Sequence, residues 1–366
     1  MKIALIVPGG VDRSGEYRVI PAVLALIERL ARAHELHVFA LAQEPVAGQW
    51  RLAGATVHNT GRPLTLLRTM RGIRREHARG RFDLVHSLWS GDCGLVCVLA
   101  GILLRRPAFV HLTGGELFAF PEIGYGGQLR WSRRVLEAFV LKRAAAISAS
   151  SAPIVAAVER FGMTARRIPL GVDLRAWPVR APQPRAAHAR ARLIHVASLN
   201  RVKAQAVLLR GLVRLAALGI DFELDVVGDD TLNGQVQALA RELGLAARVR
   251  FRGFMTQREL RPLMEAAHLH VLSSHHEAGP FVLLEAAVAG VPTVGTAVGH
   301  LAEWPAEAVA AVPVGDCTAL ADAMARLLGD DSLRVRMALA AQGRALEEDA
   351  DFTARCFEEC YARLVS

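Results

Sequence analysis

The chain has 366 residues, 52% of them hydrophobic, 6% aromatic and 22% charged. That length exceeds the usual size of a single core and points to two domains, and the apolar share excludes a disordered polymer. The formal charge of +9 is unevenly spread, since residues 1–170 carry 23 Lys+Arg against 12 Asp+Glu and the remainder 21 against 23. A basic first half favours anionic partners, either a phosphorylated molecule or an anionic membrane leaflet, although a plain bias toward arginine explains it equally well. Nucleic acid is not expected, because no binding motif and no stacking aromatics accompany the charge. Five cysteines without a Cys-x2-Cys pair argue against a disulfide framework or a zinc site, and for reduced cytoplasmic thiols. Ile3–Val7 is too short for the apolar core of a signal peptide. The longest apolar run, Leu95–Leu104, falls short of the roughly 20 residues of a membrane span, so any membrane contact is expected to be peripheral.

In chain order, Lys2–Val7 reads as a buried strand, followed by Gly9-Gly10, a polar loop, a helical pattern from Arg18 to His34 and a second strand at Leu36–Leu41. This opens a doubly wound α/β domain. Gly9-Gly10 suits either a close backbone approach to a phosphate or other ligand, or a simple strand-end turn. Arg62–Arg81 places Leu64, Leu67, Met70 and Ile73 at helical spacing with Arg68, Arg71, Arg74 and Arg75 on other faces. Such a basic amphipathic helix fits an anionic surface, or an ordinary core stripe with a solvated back. Asp83–Ser87 and Phe109–Thr113 read as further strands, and His111 and Thr113, two apart, face the same side. Ala144–Ser151 reads as another strand. The Pro/Arg/Ala-rich stretch from Trp177 to Arg192 reads as a linker or exposed loop. A second α/β domain begins with the strand Leu193–Ala197.

The most informative stretch runs from Leu269 through Val294. An apolar strand closes in Ser273-Ser274, Glu277 follows in a loop, Pro280 presets a helical first turn, Gly290 supplies a stop, and Val291–Val294 begins a new strand. Glu277 and the Ala278-Gly279 backbone therefore sit at the carboxyl edge of a parallel sheet, where ligands of such sheets bind. Glu285, five residues beyond Pro280, lies roughly 7–8 Å further along the helix.

This stretch closely resembles the E-x7-E signature of retaining glycosyltransferases of the GT-B fold, especially the large family-four group. The resemblance implies two Rossmann-like domains facing a cleft, here residues 1–172 and 173–348, with 349–366 as a helix returning toward the first. It implies a nucleotide diphosphate sugar donor and no further cofactor. Glu277 would lie by the donor sugar, Ala278, Gly279, Pro280 and Phe281 on sugar and phosphate, and Glu285 on the ribose. Lys203 matches a diphosphate-binding lysine, whereas Ser198 stands where an arginine is usual and Arg201 offers a replacement cation. Gly253 and Phe254 match a loop at the nucleobase. Gly9 and Gly10 match a glycine-rich cleft loop. Thr113-Gly114-Gly115-Glu116 stands where relatives carry His-Gly-x-Asp, so Thr113 replaces a cleft histidine, Glu116 keeps the acid, and His111 is a candidate substitute imidazole. No Asp-x-Asp stands at a matching loop, and metal independence is expected. Transfer to an unknown acceptor, acidic or lipid-linked, at the inner membrane face is one expectation. A binding protein on the same scaffold that has lost turnover is the alternative, motivated by Ser198 and Thr113.

Overall fold

The computed structural model describes residues 1–186 and 189–366 and divides into two compact units, Met1–Gly171 with Ala350–Ser366, and Val172–Asp349. Val172 and Asp349 thus belong to the second unit, one residue from the cuts expected at each end.

The first unit begins β1 (Lys2–Val7), α1 (Pro21–Ala33), β2 (Glu35–Ala40), β3 (Gly48–Leu52), β4 (Ala55–Asn59) and α2 (Thr65–Arg79). It continues with β5 (Leu84–Leu88), α3 (Gly91–Leu104), β6 (Ala108–Leu112), α4 (Trp131–Arg143), β7 (Ala146–Ala149), α5 (Ala152–Glu159) and β8 (Arg166–Arg167). The strands form one sheet in the order β3-β4-β2-β1-β5-β6-β7-β8, parallel except for the β3–β4 pair. β1 is buried along almost its whole length and lies between β2 and β5, where the winding reverses. α1 starts at Pro21, later than the helical pattern at Arg18, because Val11 and Val19 pair and Arg18 takes a positive φ of 51°.

The second unit holds β9 (Ala191–Val196), α6 (Gln205–Ala217), β10 (Phe222–Val227), α7 (Gln235–Glu242), β11 (Val249–Gly253), α8 (Gln257–Ala266) and β12 (Leu269–Leu272). Then come α9 (Phe281–Val288), β13 (Thr293–Thr296), α10 (His300–Glu303), β14 (Val309–Val312), α11 (Cys317–Gly329) and α12 (Asp331–Glu347). Its parallel sheet runs β11-β10-β9-β12-β13-β14, a doubly wound order that reverses between β9 and β12. Alternation along the strands feeds two cores: Leu193, Leu224, Val226 and Val271 pack toward α6 and α11, and Ile194, Val227 and Leu272 toward α9 and α12.

The last helix, α13 (Ala350–Val365), belongs to the first unit. Phe357 and Tyr361 are fully buried there, the Tyr361 hydroxyl lies 2.7 Å from His86 Nδ1, and Asp351 pairs with Arg29 of α1.

The Pro/Arg/Ala-rich stretch corrects the sequence reading. Rather than a free linker, the part up to Arg185 is a strap bound to the second unit; Ala187 and His188 lie outside the described residues. Trp177 is 2% exposed and donates its indole N–H to Gln257 Oε1. The Arg180 amide bonds to Val288 O, Gln342 donates to Arg180 O, and the buried Arg334 donates to Gln183 O. The stretch looks solvated in sequence, but here the carbonyls of Arg180 and Gln183 are satisfied by side chains of α12.

Candidate functional site

At the strand reversal of the second unit, the loops after β9 and β12 meet. Lys203 and Glu277, 74 residues apart, form an ion pair of 2.6 Å between Nζ and Oε1. Ser274 donates its hydroxyl to the same Glu277 oxygen at 2.6 Å, and Glu277 is 8% exposed. The two loops are also laced through their backbones: Ser273 Oγ donates to Lys203 O, the His275 amide to Val202 O, and the Lys203 amide to Asn200 Oδ1. A lysine in such a lattice has little freedom to leave, so its charge is preorganised.

Beneath these loops lies His195, fully buried. Burial lowers its imidazole to about 4, so the ring is neutral. Its Nδ1–H donates to Val271 O at 2.8 Å and its Nε2 accepts from Gln205, which also donates to Ser198 O. The neutral ring therefore ties β9, β12 and the Ser198 loop together. Ser198 is half-buried and Arg201 is exposed at the loop's turn.

Glu277 leads through Ala278 and Gly279 to α9. Pro280 has φ −68° but ψ 109°, so it caps the helix from outside, and the first helical residue is Phe281 rather than the proline expected. Gly279 is required by close approach, since a Cβ there would stand 2.9 Å from His300 Nε2. His300 is itself held by Glu303 at 2.7 Å and stacks on Trp304.

Further along α9, Glu285 is 7% exposed, and burial pushes its carboxyl up to about 7, partly offset by the amide of Gln257 that donates to it. Gln257 also accepts from Trp177, so the acid is the end of a chain of bonds through the strap. Gln257 is the first residue of α8, set by the capping box of Thr256 and Glu259. That box was readable as Thr-x-x-Glu, but the role of Gln257 was not. Gly253 takes φ 71° with open space on its Cβ side, and Phe254 is 46% exposed.

The first-unit candidates divide differently. Gly10 has φ 78°, and a Cβ there would collide with Ile20, so the turn requires that glycine, while a Cβ at Gly9 would stand 3.3 Å from Gln43 Oε1. His111 is corrected: it is 0% exposed, bonds Ser148 Oγ at 2.9 Å and meets the Phe357 ring edge-on, and burial lowers its imidazole to about 3. It is a core histidine and cannot stand in for a ligand-facing one. Thr113, at the end of β6, is buried; Glu116 lines a cavity of about 560 Å³. Arg68, Arg71 and Arg75 of α2 line another of about 480 Å³. Among the described residues no cluster of His, Cys, Asp or Glu is arranged as a metal site, and no helix is long and apolar enough to cross a membrane.

Comparison with known proteins fits this division. Residues 19–171 match the glycosyl transferase 4-like domain and residues 181–344 the glycosyl transferases group 1. The chain is 30% identical over 251 residues to EpsF of Bacillus subtilis (strain 168), covering 63% of this chain and 61% of that one. It is 32% identical over 184 residues to glycogen synthase of Mycobacterium tuberculosis (strain CDC 1551 / Oshkosh), 50% of this chain and 44% of the other. The matches thus span less than two thirds of either relative's length. Sucrose-phosphate synthase from Thermosynechococcus elongatus superposes with a TM-score of 0.81 at 20% identity, over 100% of this chain and 99% of that one. Anabaena Alr3699/HepE, solved with UDP-glucose, gives 0.77 at 20% identity over 100% of both. These likenesses show the GT-B fold, with two parallel-sheet Rossmann-like units. On its two matching domains and this fold, the chain belongs to the group 1 glycosyl transferases.

Proposed function

We propose that the protein is a retaining, metal-independent glycosyltransferase that moves a sugar from a nucleotide diphosphate sugar to an acceptor hydroxyl. The observation that carries this is the Lys203–Glu277 pair at the strand reversal of the second unit. Lys203 and the positive dipole end of α9 offer positive charge to the diphosphate, in place of a metal. Glu277 and the Ala278–Phe281 backbone orient the sugar hydroxyls, and Glu285 holds the ribose. The bond from the sugar's anomeric carbon to the diphosphate oxygen breaks as the bond to the acceptor oxygen forms on the same face. The acceptor proton passes to the departing nucleoside diphosphate, so Glu277 need not be a nucleophile. HepE, a neighbour in fold, was solved with UDP-glucose, which supports a nucleotide-sugar donor. The reading as a binding protein without turnover has less support, because Lys203 and Glu277 stand paired despite Ser198 and Thr113.

Sugar release and transfer from UDP-, GDP- and ADP-sugars should be seen for the wild type and lost in Glu277→Ala. EDTA should leave the rate unchanged, and the product linkage should keep the donor's anomeric configuration by NMR. Tight nucleotide binding with no turnover on any donor would favour the inactive scaffold instead.

The first half of α2 supports a peripheral contact with an anionic leaflet. Leu64, just before the helix, and Leu67 in its first turn are 63% and 55% exposed beside Arg68, Arg71 and Arg74, so apolar insertion and phosphate attraction coincide. Binding to phosphatidylglycerol vesicles should fall in Leu64→Ser/Leu67→Ser and at high salt; equal sedimentation of variant and wild type would rule this surface out.

A further inference from the structure

The cavity of about 480 Å³ at α2 lies at the outer edge of the first unit's sheet, between that helix and β2, β3 and β4. β1 and β5, where the winding reverses, contribute nothing to its lining. Arg68, Arg71 and Arg75 stand three and four residues apart, so they share one face of α2, and all three line the cavity. No Asp or Glu does. These guanidinium groups are little engaged. Arg68 donates to a carbonyl, Arg62 O, at 3.2 Å, and Arg75 reaches Glu76 at 3.5 Å, an acid that Arg79 holds at 2.7 Å. Arg71 is in no ion pair among the described residues. Like charges at this spacing repel, and an anion held between them relieves that repulsion.

The floor of the cavity is apolar. Phe39 and His58 stack at 4.7 Å, and His58 is fixed from behind by His37, whose other ring nitrogen lies 2.9 Å from Glu35. Burial lowers the His58 imidazole to about 4, so the ring adds no charge of its own. Gly72 leaves the space above Phe39 open. A Cβ there would lie 3.5 Å from the Phe39 ring, an ordinary contact, so crowding does not require a glycine that weakens the helix around it.

We propose that this cavity binds a phosphate ester, with the phosphate on Arg68, Arg71 and Arg75 and the esterified group over Phe39 and His58. A guanidinium fork meets two phosphate oxygens at once, and the row of three spans about 10 Å of helix. The volume holds a small molecule as well as its phosphate. The ester is carried either by a free phosphorylated molecule or by a phospholipid headgroup, and both present the same anion. The site does not rest on the transfer reading. It shares Arg68 and Arg71 with the leaflet contact, but its floor and Gly72 take no part in that contact.

The test is calorimetric titration of the full chain with glycerol 3-phosphate and glucose 6-phosphate, beside glycerol, glucose and glucuronate, and flotation with phosphatidylglycerol vesicles. At least one ester should bind about 10-fold or more tightly than its uncharged parent, and more weakly as salt is raised. Arg71→Gln/Arg75→Gln should weaken that ester by about 10-fold or more. Gly72→Leu, which fills the cavity and keeps every charge, should do the same. Arg71 and Arg75 are exposed, so their variant keeps the test intact if the leucine variant fails to fold. Leu64→Ser/Leu67→Ser should leave the soluble ester bound as before, whatever it does to vesicles, which separates this site from the leaflet contact. A headgroup is the source if neither soluble ester binds and vesicle flotation is lost in the arginine and leucine variants. The proposal is overturned by glucuronate binding better than the esters, by a folded Gly72→Leu that binds like wild type, or by ester and vesicle binding that ignore the arginines.

Discussion

Lys203→Ala is expected to lower kcat for sugar transfer by about 10²- to 10³-fold, the usual cost of removing one preorganised charge from a transition state. The leaving diphosphate gains negative charge as the bond to the sugar lengthens, so the lysine contributes more there than in the ground state, and KM should move less than kcat. Folding should suffer little by comparison. Lys203 is only partly buried, with a quarter of its side chain exposed, and Ser274 still donates to Glu277 after the lysine is gone. Lys203→Arg should recover part of the rate, since the charge returns but a planar fork does not reproduce a point ammonium. The pair can be separated by a double-mutant cycle with Glu277→Ala. If both residues serve one bound donor, the double variant should be little slower than the worse single one. A Lys203→Ala rate within threefold of wild type would remove the lysine from the chemistry and, with it, the main support for metal-independent transfer.

How much of this was legible beforehand depends on the distance over which each feature is decided. The β12–α9–β13 unit is set by neighbours: Ser273-Ser274 ends a strand, Gly290 ends a helix with φ 76°, and Val291–Val294 restarts. Such signals lie within a few residues and are visible in the chain. The meeting of Lys203 with Glu277 is decided by the order of β9 and β12 in a sheet, which spacing alone does not give; the family resemblance implied only that both residues serve one donor. His111 failed for the converse reason. Strand alternation told which side it shares with Thr113, but not that Phe357, nearly 250 residues on, covers that side. Trp177 was hidden among residues of exposed type, and its burial depends on Gln257 accepting its N–H. Glu137 reads as an ordinary helix-surface charge on α4, and only the approach of Gly91 and Glu116 makes it otherwise.

The second large effect is expected at Glu285, and it concerns pH. Its ordinary value of 4.5 rises to about 7 in the folded chain because the carboxyl is buried with one amide donor. Between those values the folded protein holds a proton that the unfolded chain has released. Stability therefore falls as pH rises from about 4.5 through about 7, whereas below 4.5 both states are protonated and the acid contributes no slope. By pH 8 the penalty approaches about 3 kcal/mol. Glu285→Gln keeps an oxygen for Gln257 and removes the ionisation. The variant should then match wild type near pH 4.5 and be more stable at pH 8 by up to that amount, measured as a difference in denaturant unfolding. The same change should raise KM for the donor by about 10-fold or more, because a carboxylate receiving a ribose hydroxyl makes a stronger bond than an amide does. Greater stability with weaker donor binding is the signature of an acid retained for a ligand rather than for the fold. If the two proteins lost stability in parallel from pH 5 to 8 and bound donor alike, Glu285 would carry no proton linkage to folding and no contact with the donor, and the ribose contact would have to be sought near Phe254 and Gly253 instead.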